Sequence, residues 1–364
     1  MHSRVTLTAV LAALVVGGVL VIPTASARLV GDPAPVTNEP VGTSAEELTV
    51  AESPPPPATP TLRAAPVSVS VDGFLSWALL DRTTKEIAGS ANLTETSSTE
   101  SMIKIWIVSD YLRQLGDTDP SAAERKQAML AIRDSDDDST NRLYYAAGGD
   151  EVLARMIKMC GLRQTRMVVP PGEKSVWWSY TQMSARDAVL LGECVKNGTA
   201  AGPKWTDWVI SEMTQVRGGT SAEEQNARSG GGRWGIIDGL PQSVLDDTEV
   251  AIKNGWTLIW ADRMWHLNCL AVTDGWVLAV MMRYPGVNGL DYGANVCGEV
   301  TRQLVTPHAG AAIRLPAAPT APPATGDAAG AADPAPDAAA AADPAPPPTP
   351  QIPPPTLSPP TPES

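Results

Sequence analysis

A serine and a lysine three positions apart are the first residues of this chain that could carry out covalent chemistry. Ser101 and Lys104 open a segment of helical periodicity, in which positions i and i+3 share one face. A serine hydroxyl becomes a useful nucleophile when a base lies within hydrogen-bond reach, and a desolvated lysine can be that base. Backbone N–H groups at a helix start also favour a developing negative charge. The pair therefore predicts acyl transfer, although a surface lysine on an amphipathic helix would give the same spacing.

A second candidate is the polar run Ser135-Asp136-Asp137-Asp138-Ser139, which directly follows a helical pattern. A calcium loop beginning at Asp134 is one alternative for this run. It would need glycine where Ser139 stands and a bidentate glutamate where Tyr145 stands, so the pattern argues against calcium. A solvated acidic turn is the other alternative.

The third candidate, Lys253-Asn254-Gly255, falls inside a strand pattern late in the chain. In chain order, Ser-x-x-Lys opens a helix, Ser-Asp-x follows in a helical half, and Lys-x-Gly lies on a strand. This arrangement resembles the motif set of class A β-lactamases and penicillin-binding proteins, a superfamily of serine hydrolases. Asn141-x-Leu143, downstream of the second motif, adds to the likeness. The resemblance covers residues 67–308.

The resemblance implies catalytic roles for three residues. Ser101 would be the nucleophile, Lys104 its base, and Ser135 the group that passes a proton to the leaving group. Lys253 would bind a carboxylate of the substrate.

Four further roles are implied for substrate binding. Asp137 and Asn254 would contact the substrate, and Gly255 would let the substrate backbone approach the strand edge. The N–H groups of Ser101 and Trp256 would form the oxyanion hole, and Trp256 would line the cleft.

Three departures from the family pattern weaken the expectation of rapid hydrolysis. Asp137 stands where the family has asparagine, and Asn254 where it has threonine. Residues 163–183 carry no Glu-x-x-Leu-Asn motif, whose glutamate positions the deacylating water in class A β-lactamases. Glu173 is the only carboxylate in that region and is expected on the surface. A persistent acyl-enzyme is therefore expected, which favours slow penicillin-binding behaviour over efficient β-lactam hydrolysis.

Alternation and periodicity predict an α/β (α+β) fold. Strands are expected at 67–71, 74–80, 86–93, 250–252, 258–260, 267–272 and 277–282, and helices at 101–115, 121–133, 150–160, 184–196 and 292–305. Because strands lie at both ends of this region, we expect an antiparallel sheet built from both ends, with flanking helices and an all-helical subdomain. Most of the tryptophans are expected in the core, and His266 is expected to be structural.

The two ends of the chain are not globular in composition. Residues 1–27 combine a basic start, an apolar run and an Ala-x-Ala ending, which predicts a cleaved signal peptide or, alternatively, a membrane anchor. Residues 28–66 are proline-rich and residues 309–364 are rich in alanine and proline, so both are expected to be disordered. The folded domain is expected at 67–308.

The cysteine count and the charge restrict the function further. Cys160, Cys194, Cys269 and Cys297 are expected to form two disulfides, Cys160 with Cys194 and Cys269 with Cys297, although the sequence alone allows two other connectivities. No CxxC occurs and the chain has three histidines, so neither a metal nor a cofactor is expected. The net charge of −13 without a basic stripe argues against nucleic-acid binding.

The sequence therefore predicts an exported serine hydrolase of the cell envelope, acting through an acyl-enzyme on an amide or β-lactam-like substrate. A small molecule or a peptidoglycan peptide is the expected substrate, the N-terminal segment could attach the protein to membrane or wall, and a monomer is expected. The alternative is a catalytically weak or inactive module of the same fold that binds a wall peptide or a protein partner.

Overall fold

A mixed sheet-and-helix domain is seen in the computed structural model, which describes residues 59–226 and 231–306. Its strands are β1 (Phe74–Asp81), β2 (Ile87–Gly89), β3 (Thr96–Ser98), β4 (Gln182–Ser184), β5 (Ala251–Ile252), β6 (Gly255–Ile259), β7 (Met264–Val272) and β8 (Trp276–Pro285). Six of them form an antiparallel sheet in the order β2-β1-β8-β7-β5, and β6 also pairs with β7. β3 and β4 form a separate pair. The main sheet is built from both ends of the domain, which confirms the predicted fold class.

The helices follow the sequence pattern closely. They are α1 (Lys104–Gln114), α2 (Ala122–Arg133), α3 (Asp137–Ala146), α4 (Asp150–Met159), α5 (Ala185–Lys196), α6 (Thr206–Thr214), α7 (Ala222–Asn226), α8 (Ile236–Gly239), α9 (Gln242–Asp247) and α10 (Gly289–Leu304). Single 3₁₀ turns lie at Glu100–Ile103, Trp178–Tyr180 and Gly286–Asn288. All five predicted helices are present. Ser184 caps the start of α5, because its hydroxyl accepts a hydrogen bond from Asp187 N at 3.1 Å.

The centre of the sheet is buried on both faces. Consecutive residues of β8 from Trp276 to Met282 are buried, as a strand covered on both sides requires. α5 packs against β1 and β8, and Gly192 lets it lie close, because a Cβ there would be 2.6 Å from Val277 Cγ1. α10 packs against β7 and β8.

The helical half is organised around α1. Its residues from Lys104 to Leu112 are all buried, and α2, α3, α4 and α6 pack around it. Trp106 Nε1 donates to Val152 O at 2.8 Å, so the buried indole has its partner. Lys104, the first residue of α1, therefore lies inside the protein rather than on its surface.

Two disulfides join the elements that carry the cysteines. Cys160, directly after α4, is bonded to Cys194 of α5, with Cα atoms 5.5 Å apart. Cys269 of β7 is bonded to Cys297 of α10, with Cα atoms 6.4 Å apart. Both pairings are those that the sequence predicted.

Two expectations at the N-terminal side of the domain were wrong. Residues 67–71 form no strand, because β1 is already paired on both edges by β2 and β8. Their valines pack against the core while Ser68 N donates to Gln303 Oε1 of α10 at 2.7 Å. Residues 59–66, placed in the linker from composition, also contact the domain: Leu62 is buried and pairs with Val305.

Several expectations concern residues outside the described ranges. These are the signal peptide or anchor at 1–27, the greater part of the linker and the tail at 309–364. Within residues 59–226 and 231–306, no helix combines the length and apolar composition that a bilayer span needs.

Candidate active site

Ser101 lies on the 3₁₀ turn that leads into α1, and β6 packs directly against this turn. A Cβ at Gly255 would lie 2.7 Å from Ser101 N and 2.5 Å from Met102 N, so glycine is required for the approach. Glu100, immediately before Ser101, has a left-handed backbone with φ of 48°. The contact brings the N–H of Ser101 to the start of β6, where Trp256 follows Gly255.

Lys104 is the first residue of α1 and is fully buried. Its Nζ donates to Asp137 Oδ1 at 2.6 Å, to Ser135 Oγ at 3.3 Å and to the Ser135 carbonyl oxygen. Burial lowers the pKa of this lysine, and the Asp137 carboxylate opposes the shift by stabilising the ammonium. The side chain is thus desolvated, as a lysine base must be, but it is also held by an anion.

Lys253, which lies between β5 and β6, is the second buried lysine of the site. Its Nζ donates to Ser135 Oγ at 2.8 Å and to Asn254 O at 3.2 Å. Burial and then the charge of Lys104 bring its pKa well below the ordinary value of 10.5. Both lysines therefore converge on one hydroxyl, that of Ser135.

Ser135 is held in position by its neighbours in the chain. It has a left-handed backbone with φ of 58° between α2 and α3. Asp134 is buried and accepts from Arg217 Nη2 at 2.5 Å, and Asp136 caps α3 by accepting from Ser139 N at 2.7 Å. Because both aspartates are used in this way, neither the calcium loop nor the free acidic turn describes this run.

Asn254 occupies a different position from the one that the resemblance implied. Its Nδ2 donates to Gly232 O and Trp234 O, both at 2.8 Å, and the side chain is buried. The expected contact with a substrate is thus replaced by a supporting role: the side chain ties residues 231–235 to the sheet beside the cleft.

The cleft is a cavity of about 250 Å³. It is lined by Glu100, Ser101, Ser135, Asp137, Trp178, Ser179, Gln225, Trp256 and Thr257. Trp256 Nε1 donates to Gln225 Oε1 at 2.8 Å, and Trp178 Nε1 donates to Asn141 Oδ1 at 2.8 Å. The two indoles therefore form fixed walls of the cleft. The Trp178 ring lies over the site, with its centroid 5.4 Å from Lys104 Nζ.

The loop at 163–183 contributes a tryptophan to the cleft rather than a carboxylate. Glu173 is exposed and does not line the cavity, as the sequence analysis expected. Among the residues described, the carboxyl side chains that line the cleft are those of Glu100 and Asp137.

Four polar residues beside Ser101 were not singled out from the sequence. Ser98 Oγ lies 2.6 Å from both Glu100 Oε1 and His266 Nδ1, and His266 Nε2 lies 2.8 Å from Asp262 Oδ2. His266, expected to be structural, therefore contacts Ser98, which lies three residues before Ser101 in the chain. The β6–β7 register, which places His266 opposite Thr257, was the signal that could have located it.

No group of three or more His, Cys, Asp or Glu side chains within the described ranges is arranged to hold a metal ion.

The fold is similar to that of class A β-lactamases. An ancestral class A β-lactamase is 17% identical, with a TM-score of 0.48 over 64% of this chain and 93% of that chain. A β-lactamase from Burkholderia vietnamiensis is 16% identical, with a TM-score of 0.49 over 64% and 90%. A class A β-lactamase from Mycobacterium abscessus is 16% identical, with a TM-score of 0.48 over 64% and 92%. These enzymes are of the class that the three motifs indicated, and identities this low concern the fold alone.

Among curated proteins, "Putative lipoprotein LppW" of Mycobacterium tuberculosis and of Mycobacterium bovis is 27% identical over 205 residues. The match covers 55% of this chain and 60% of LppW, so the chain spans about three fifths of the length of these relatives. No family model matches the sequence.

Proposed function

We propose that this protein is an exported serine hydrolase of the cell envelope that forms an acyl-enzyme on Ser101. The observation that carries the proposal is the convergence of two buried lysine amines on Ser135 Oγ, at 3.3 Å and 2.8 Å, in the cavity that Ser101 lines. Burying two lysines costs free energy because each loses its hydration. Buried groups with strongly shifted pKa values are typical of functional sites. The lipoprotein name of the LppW relatives and the two disulfides support an envelope location.

The proposed acylation uses these groups in turn. Neutral Lys104 removes the proton of Ser101 Oγ as this oxygen attacks the carbonyl carbon of an amide. The N–H groups of Ser101 and Trp256 stabilise the oxyanion. The proton then passes through the Ser135 hydroxyl to the leaving nitrogen as the C–N bond breaks.

The charge of the cleft supports a substrate with a carboxylate. Asp137 and Asp134 are the carboxylates that act on Lys253, and they are already paired with Lys104 and Arg217 respectively. An ammonium on Lys253 would therefore lack a counter-ion of its own. An anionic substrate group beside Lys253 would supply it. We propose an amide or β-lactam-like substrate with such a carboxylate, as in a small molecule or a peptidoglycan peptide.

Deacylation is proposed to be slow. It needs a base beside the water that attacks the ester, and the 163–183 loop offers Trp178 at the cleft where such a base would lie. The acyl-enzyme is therefore expected to accumulate.

The test is the intact mass of the purified protein after incubation with a labelled penicillin. One equivalent of adduct is expected on the wild type and on Ser211→Ala, a control serine exposed on α6. It should be absent from Ser101→Ala. No adduct on the wild type, or an adduct that survives Ser101→Ala, contradicts the proposal. Rapid turnover of a chromogenic cephalosporin contradicts slow deacylation.

A second candidate function is a weak or inactive module that binds a wall peptide or a partner. The Lys104–Asp137 ion pair favours it, because a lysine held as an ammonium cannot accept a proton from Ser101. Binding of a peptidoglycan stem peptide in calorimetry, with no covalent adduct from any penicillin, would favour this candidate over the hydrolase.

A further inference from the structure

A chain of hydrogen bonds runs behind the reacting serine and takes no part in the acylation steps above. It links Glu100, Ser98, His266 and Asp262 through separations of 2.6, 2.6 and 2.8 Å. Glu100, Ser98 and His266 are buried, with at most 4% of their surface exposed, and the Asp262 side chain is 44% exposed. The inner three residues are thus largely shielded from solvent.

The chain connects two cavities. Glu100 lines the cleft of Ser101, and Asp262 lines a cavity of about 730 Å³ that Gly73 and Arg283 also border. The larger cavity is therefore the solvent side of the relay, and the cleft is its reactive side.

The hydroxyl of Ser98 has a single proton for two acceptors, and this restricts the charges of the chain. If Ser98 donates to His266 Nδ1, the imidazole is neutral, its Nε2–H donates to Asp262, and Glu100 must carry the proton that it donates to Ser98. If Ser98 donates to Glu100, that carboxylate is ionised and the Nδ1–H of an imidazolium donates to Ser98.

The two arrangements differ by one concerted shift. The Glu100 proton moves to Ser98 Oγ while the Ser98 proton moves to His266 Nδ1. No electron is transferred, and the total number of protons and the net charge stay the same. What changes is that Glu100, next to Ser101, becomes negative while His266 becomes positive.

Protonated Glu100 is the form that its surroundings favour below about pH 7. Burial raises the pKa of Glu100 to about 7, Asp137 of α3 and Asp262 add to the rise, and bonds from Ser98 and Thr257 of β6 oppose it. On the other side of the relay, burial lowers the pKa of His266, because the imidazolium loses hydration.

Two charged groups face the imidazole from neighbouring elements. Asp262, after β6, favours the imidazolium, and Arg283 of β8 disfavours it. Neither outweighs burial, so a neutral His266 beside a protonated Glu100 is the resting arrangement.

The backbone connects this proton to the reacting serine. Glu100 has φ of 48°, a conformation that costs a non-glycine residue about 1–3 kcal/mol, and bonds from its carboxyl group to Ser98 and Thr257 can hold it. The next residue is Ser101, whose backbone nitrogen lies beside Gly255 at the proposed oxyanion hole.

We propose that Glu100 is a positioning residue for Ser101. Neutral His266, held by Asp262, accepts the Ser98 hydroxyl and so withholds it from a Glu100 carboxylate, which keeps Glu100 protonated in the reactive form. A carboxylate at this place would put a negative charge behind the oxyanion hole and oppose the charge that develops there. The effect on acylation rests on the proposed function. The proton relay and its link to the Ser101 backbone do not.

The first experiment needs no substrate. In ¹³C- and ¹⁵N-labelled oxidised protein, the side-chain carboxyl of Glu100 is titrated from pH 4 to 9 and the amide of Ser101 is followed. Both are expected to shift with a common midpoint about 7, and the Ser101 shift should vanish in Glu100→Gln. His266→Phe, which offers Ser98 no acceptor and leaves it to donate to Glu100 alone, should lower the midpoint. A Glu100 midpoint at its ordinary 4.5, or a Ser101 shift that persists in Glu100→Gln, overturns the proposal.

The second experiment compares acylation by a fluorescent penicillin in wild type and Glu100→Gln. The ratio of wild-type to variant rate should fall about tenfold between pH 6 and pH 8, as the fraction of protonated Glu100 does for a midpoint of 7. Titration of Lys104 affects both proteins and cancels in the ratio. The exposed control Glu173→Gln should give a constant ratio. A constant ratio for Glu100→Gln overturns the positioning role. If neither protein is acylated, the proposed function fails and the titration alone decides.

Discussion

Glu100→Gln is expected to make the folded protein more stable at alkaline pH and to leave its stability at acid pH almost unchanged. Burial carries the pKa of Glu100 from 4.5 in the unfolded chain to about 7 in the native protein. Between these values the native state binds more protons than the unfolded state, so stability falls as the pH rises. Above pH 7 the full cost applies, which at 1.36 kcal/mol per pH unit amounts to about 3 kcal/mol.

Glutamine removes this cost because it cannot ionise. Below pH 4.5 both proteins carry a neutral side chain, so any remaining difference is the packing effect of the amide. The quantity of interest is the change in the stability difference between pH 4.5 and pH 8. It should favour the variant at pH 8 by about 2–3 kcal/mol.

The assay is urea unfolding of the oxidised protein, followed by tryptophan fluorescence at several pH values. Other titrating groups contribute equally to both proteins and cancel in the difference. Glu173→Gln, at an exposed loop position, is the matched control and should show no pH-dependent difference. A change below about 1 kcal/mol for Glu100→Gln, or one that favours the wild type at pH 8, would refute the assignment of a buried, proton-bearing carboxyl group.

Three further substitutions test the cleft. Asp137→Asn removes the anion that keeps the neighbouring lysine charged, so penicillin acylation should rise at neutral pH and its pH optimum should move down; an unchanged pH profile would contradict this. Gly255→Ala places a methyl group 2.5 Å from Met102 N and should cost about 1–3 kcal/mol and abolish acylation, while Gly275→Ala, with open space around it, should behave as wild type in both assays. Asn254→Ala leaves two buried carbonyl groups unpaired and should cost about 2–4 kcal/mol in urea unfolding; a cost near zero would place the side chain elsewhere.

Local pattern was sufficient for the elements whose sequence and surroundings agree. α1 was predicted from apolar residues at helical spacing, and β8 from a short continuous apolar run. Residues 67–71 show the limit of that reasoning, since alternation describes a half-buried segment whether or not a sheet edge is free to pair with it. α3 was missed for a related reason: its first turn is Asp-Asp-Ser, which reflects the N-terminal preference for acidic residues more than any apolar periodicity.

The residues of the candidate site also fall into two groups, those that a local pattern predicted and those that it could not. Ser101, Lys104, Ser135 and Lys253 were predicted because their order and spacing form a motif, and the structure brings their side chains or backbone to one cleft. His266 could not be found by spacing, because its proximity to Ser98 depends on the pairing of β6 with β7 and on where β3 ends. Such contacts are fixed by register across the sheet.

The pairing of the domain's first and last segments has a mechanical consequence. Arg63 N donates to Leu304 O and Thr306 N donates to Thr61 O, both at 2.9 Å, so the two ends of the fold leave it side by side. If the flanking segments were pulled apart, the force would break these two hydrogen bonds one after the other. The bonds between the terminal segments would therefore break before those between β1 and β8. The cleft would keep its shape while the terminal segments separated from the domain.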